Sequence, residues 1–157
     1  MENKKKEKKI LIFFDGFSTP LVFLGLIFYF FFGFYINENS AGAGGFNGDL
    51  KLIWSNFLLL KEGILSNLDN PLYNDSRPPL SYILHILFNP LLSNVETYRL
   101  SVLLISLIAP LLLFFSIKKN YFKLSNDIIL LLAAVITLSP YFRTTAYWGL
   151  GENYGLI

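Results

Sequence analysis

The stretches 16–36, 100–117 and 128–142 of this chain are strongly apolar and carry no charged residue. That feature constrains the fold more than any motif does. A bilayer core of roughly 30 Å is crossed by about 20 mostly apolar helical residues. The first two stretches meet that length, and the third meets it by running on through Arg143. The surrounding composition agrees, at 54% hydrophobic and 15% charged residues, against about 45–50% and about 25% for an ordinary soluble domain. The expectation is an all-α integral membrane protein with about three transmembrane helices.

Charge placement gives that expectation an orientation. Lys4, Lys5, Lys6, Lys8 and Lys9 precede the first apolar stretch, and Lys118, Lys119 and Lys123 follow the second. Basic residues beside spans favour the cytoplasmic side. The expected layout is a single membrane domain. It has a cytoplasmic tail over 1–15, a span over 16–36, an outer loop over 37–98 and a span over 99–117. A cytoplasmic loop over 118–126, a span over 127–148 and an outer segment over 149–157 complete it. The lysine-rich start reads as an uncleaved anchor, its apolar run being longer than the roughly 7–15 residues of a cleaved signal. The absence of cysteine excludes disulfides and thiolate metal sites.

The long loop is not featureless. Leu50, Ile53, Trp54, Phe57, Leu58 and Lys61 recur at helical spacing, and Gly63 supplies a stop. A second helix is expected from Pro78 or Pro79 to Phe88, because proline suits a first helical turn and Pro90 closes the run. Both read as interfacial amphipathic helices in the first outer loop. Asp49 opens the first; Asp75 and Arg77 stand before the second.

With "GD" in "NGDLKLIW", "RPPL" in "SRPPLSYIL" and this order of spans, the chain resembles the GT-C glycosyltransferases. The likeness is to the branch holding protein O-mannosyltransferases and aminoarabinose transferases, glycosyltransferase family 39, and to its N-terminal portion only. Leu50 follows the acid where relatives often carry Glu. The resemblance implies an enzyme that moves a sugar from a polyprenyl-phosphate donor to an acceptor hydroxyl on the non-cytoplasmic side. Its partners would be membrane lipid and that donor, with no nucleic acid. Asp49 would be the catalytic base and Arg77 would hold the lipid phosphate, with Asp75, Glu152 and Asn153 as additional candidates. No cofactor is firmly implied, and a divalent metal, though compatible with such chemistry, has no support in the residues.

Each residue also has a plainer reading. Asp49 is a favoured helix N-cap. Arg77 could pair with Asp75, Glu152 could lie in water, and Arg143 could snorkel at an interface. His85, the single histidine, reads as packing within its helix or meeting lipid headgroups rather than binding a metal. "AGAGG" lacks the strand and the Lys-Ser/Thr of a phosphate loop and reads as a linker. The alternative function is a small non-catalytic membrane protein that binds lipid-linked sugars or a partner complex. A transporter fits less well, since transporters gather polar groups near the bilayer midplane.

Overall fold

The computed structural model describes residues 2–39, 46–73, 75 and 79–157, with side chains at 19–39, 48–73, 75 and 79–157. All regular structure among them is helical. Helix α1 covers Glu2–Tyr35, α2 Phe46–Glu62, α3 Ile64–Asn67, α4 Leu80–Phe88, α5 Val95–Ser106, α6 Ile108–Asn120, α7 Asn126–Ala134 and α8 Pro140–Trp148. Short 3-10 turns follow α7 at Val135–Leu138 and close the chain at Glu152–Leu156.

Local chemistry sets most of these boundaries. Asn94 caps α5 by accepting from the Glu96 and Thr97 amides, both at 3.0 Å, while Thr97 Oγ1 accepts from the Asn94 amide at 3.2 Å. This reciprocal box satisfies donors that a helix start leaves open. Lys118 and Lys119 sit in the last turn of α6, where cations complement the helix dipole. Ser139 caps α8, with Pro140 in its first turn. At the other end Gly149 takes φ +66°, and a Cβ there would lie 2.7 Å from the Tyr98 ring.

The core lies where α2, α4, α5 and α8 meet, closed by the end of α1. Leu50, Ile53, Phe57 and Leu60 of α2 are buried there beside Val102, Leu103, Phe142 and Tyr147. The Tyr147 hydroxyl donates to the Phe30 carbonyl at 2.6 Å, tying α8 to α1. Two arginines are also interior, at 4% exposure each. Arg99 donates to the Tyr147 carbonyl, Glu96 and Asn37 and lies 4.4 Å from the Trp148 ring centroid. Arg143 is paired with Glu38 and lies over the Tyr29 ring at 4.1 Å. Meanwhile Phe28 and Tyr35 of α1 and Leu111 and Phe115 of α6 face outward. Apolar surface of that kind marks contact with another apolar surface.

The expected three-span architecture needs correction. Among the described residues one helical stretch, Val95–Asn120, is long and apolar enough to cross a membrane by length and composition. Within α1 the side chains are described from Thr19 on, and that apolar segment, Thr19–Tyr35, is shorter than the test requires. The third expected span is broken: Asn126–Leu138 and Pro140–Trp148 meet at 69°, and only as one bent unit would they add a second candidate. Proline has no amide hydrogen to donate and drives the preceding residue out of the helical region; Ser139 accordingly has ψ 122°. Arg143 is not at an interface but buried, because Glu38 and Tyr147 reach it. The multi-pass localisation, and the cytoplasmic and outer sides assigned from it, fall with the three spans.

The two loop helices form close to their expected places, yet neither is a separate surface helix: α2 packs into the core through Ile53 and Phe57 and α4 through Tyr82 and His85. The apolar face of α2 is covered by α4 and α8. The second helix begins at Leu80, with Pro79 as its cap, and ends at Phe88.

Candidate functional site: a groove with a polar floor

Between α4, α5 and the closing segment lies a groove of about 1010 Å³. Its walls are apolar, with Leu80, Leu84 and Phe88 from α4, Leu104 and Ile105 from α5, and Leu150. Helical spacing explains the α4 wall, since Leu80, Leu84 and Phe88 recur every four residues. The face one step round, Tyr82 and His85, turns into the core.

The floor is polar and continuous. His85 is buried with the rings of Phe57 and Tyr98 edge-on to it, at 5.7 and 5.2 Å. Its Nε2 lies 2.5 Å from Tyr154 Oη and its Nδ1 2.8 Å from Asn89 Nδ2. Asn89 Nδ2 also donates to Ser101 Oγ at 2.8 Å, and Ser101 Oγ donates to the Tyr98 carbonyl at 2.6 Å. Burial lowers the His85 pKa to about 4 and raises that of Tyr154, so both are neutral near pH 7. A neutral, hydrogen-bonded floor beneath apolar walls suits an uncharged guest; the lining holds one charged residue, Glu152, whose carboxylate repels anions, and no lysine or arginine.

The residues singled out in the sequence fall in different places. Asp49 is exposed in the first turn of α2, where a carboxylate favours the helix dipole, and it does not line the groove. Arg77 lies outside the described residues, as do Asn74, Ser76 and Pro78. Asp75 accepts a hydrogen bond from the Tyr82 hydroxyl. Burial first, and this bond second, push the Tyr82 pKa up. Glu152 lines the groove. Asn153 is buried and holds the closing segment in place: it donates to Ser106 Oγ at 3.1 Å and the Phe142 carbonyl at 3.0 Å and accepts from Thr145 Oγ1. Among the described residues no group of three or more His, Cys, Asp or Glu could hold a metal ion.

Sequence reasoning passed over the floor. His85 reads in the sequence as packing or meeting headgroups, and Asn89, Ser101 and Tyr154 do not stand out there. One signal was present: His85 and Asn89 stand four apart at the end of an apolar run. Polar side chains in such a run are buried only with partners.

No protein-family model, curated protein or solved structure matches the chain. The resemblance to GT-C glycosyltransferases is corrected accordingly, since "GD" and "RPPL" are short and no match extends them. With it go the sugar-transfer reaction, its non-catalytic variant binding lipid-linked sugars, and the polyprenyl-phosphate and membrane-lipid partners. The groove itself gives a physical reason: its lining has no fixed positive charge to meet a phosphate.

Proposed function

We propose that this chain is a binding protein for an uncharged small molecule with a mainly apolar body, seated between α4, α5 and 150–155. One observation carries the reading: an apolar groove of about 1010 Å³ ends on the linked side chains of Tyr154, His85, Asn89 and Ser101. Small-molecule sites combine apolar walls with a few placed polar groups, in volumes of roughly 300–1,000 Å³. The reading assigns no reaction to the groove.

Titration with the neutral dye Nile red tests it. Saturable binding at one site is expected. Leu84→Arg, which places a charge on the wall, and Leu104→Trp, which fills the space, should each weaken it by at least about tenfold. Leu111→Arg, on the exposed face of α6, should leave it unchanged. Dye binding lost with Leu111→Arg but kept in both groove variants would refute the reading.

A further inference from the structure

The floor's hydrogen bonds have a direction, and one backbone amide sets it. The Leu91 N–H donates to Asn89 Oδ1 at 2.9 Å. The Asn89 carbonyl oxygen is thereby fixed toward Leu91, and its NH₂ faces both His85 Nδ1 and Ser101 Oγ. Ser101 spends its own hydrogen on the Tyr98 carbonyl, so it accepts from Asn89. His85 Nδ1 must then be the bare nitrogen of a neutral imidazole, and the ring hydrogen sits on Nε2. That hydrogen points at Tyr154 Oη, which accepts it. The Tyr154 O–H is therefore directed away from His85, and none of the described side chains or carbonyls takes it. Tyr154 lines the groove.

We propose, building on the binding function above, that the Tyr154 hydroxyl is the groove's specificity-determining donor. It selects apolar molecules that present a bare oxygen acceptor, such as a ketone or ester carbonyl, over equally sized molecules without one. The order Leu91, Asn89, His85, Tyr154 fixes the donor role before any ligand arrives. A phenol already accepting a hydrogen bond is a better donor, since linked hydrogen bonds polarise one another. Anionic ligands are disfavoured, as no lysine or arginine lines the groove.

A matched pair of ligands separates the two levels of this reading. Benzophenone and diphenylmethane differ by a carbonyl in place of a methylene and have nearly the same shape and volume. Calorimetric titration of the full chain should give benzophenone a three- to tenfold tighter Kd, about the effect of one net hydrogen bond. In Tyr154→Phe the preference should vanish through weaker benzophenone binding, with diphenylmethane unchanged. Equal affinities in the unmodified chain, or a preference that survives Tyr154→Phe, would overturn the donor assignment while the groove reading stands. Binding of neither ligand would remove both. The unmodified chain alone decides the first comparison, so the proposal stays testable even where Tyr154→Phe folds poorly.

Discussion

Protonating His85 should destabilise the fold, and the structure gives the size and the pH window. Burial lowers its pKa from 6.5 to about 4. In the unfolded chain the imidazole takes up its proton near 6.5, while the folded chain resists until about pH 4. Between those values the unfolded state binds more protons, so stability falls as pH falls and then levels off below about 4. Above 6.5 both states are neutral and the group contributes no slope. At about 1.4 kcal/mol per pH unit, the full displacement corresponds to about 3 kcal/mol. Geometry adds a second reason: a proton on Nδ1 would face the Asn89 NH₂, donor against donor. Because the chain has one histidine, its imidazole NMR signals need no assignment and report the midpoint directly. Carboxylates titrate in the same range, so the stability measurement is the urea-unfolding difference between the unmodified chain and His85→Gln at pH 7 and pH 4.5. The unmodified chain should lose the larger amount. An NMR midpoint between 6 and 7, or nitrogen shifts showing the hydrogen on Nδ1, would refute both the burial argument and the hydrogen-bond directions drawn from it.

Two further substitutions test the scaffold around the groove. Gly149→Ala should cost about 1–3 kcal/mol in urea unfolding, because the position has φ +66° and a Cβ would meet the Tyr98 ring; a neutral result would contradict that conformation. Arg99→Leu should cost about 2–4 kcal/mol by stranding the Tyr147 carbonyl and Asn37 and losing the stack on Trp148. Glu96→Gln should change stability by less than about 1 kcal/mol, since the Glu96 side chain is 67% exposed, and equal costs for the two would argue that Arg99 is held by its ion pair alone.

Local features were legible where their causes are local. Gly63 ends α2 and Pro90 follows the end of α4, as their backbone chemistry requires. Of the six positions read at helical spacing, Leu50, Ile53 and Phe57 are buried together on one face and Trp54 is half-buried, whereas Leu58 and Lys61 are exposed. The destination of that face was not legible, because periodicity identifies an apolar stripe without naming what covers it. Here α4 and α8 cover α2, so an apparent surface helix is a core helix. The same limit explains the arginines. Arg143 beside an uncharged run suggests an interface, yet Glu38, more than a hundred residues earlier in the chain, brings it inside. The site suffered most. His85 and Tyr154 are 69 residues apart, and no spacing rule joins a lone histidine in one helix to a tyrosine near the end of the chain.

That distance also explains why the groove needs the polar interior around it. Gly149 and Gly151, at φ +66° and +82°, turn the chain back after α8, toward α4 and α5. A turn alone would leave Tyr154 free to swing. Its neighbour Asn153 is pinned to Ser106 of α5 and to Phe142 and Thr145 of α8, while the Tyr98 hydroxyl holds the Gly149 carbonyl at 2.6 Å. Arg99 ties the Tyr147 carbonyl to the same helix that carries Tyr98 and Ser101. The segment bearing the groove's donor is thus fastened on both sides of its turn to α5, the helix that also forms the opposite wall. Polar groups buried at such density stay satisfied only in one arrangement, and in that arrangement Tyr154 meets His85. The interior polarity that a span-based reading leaves without purpose is what holds the donor in place.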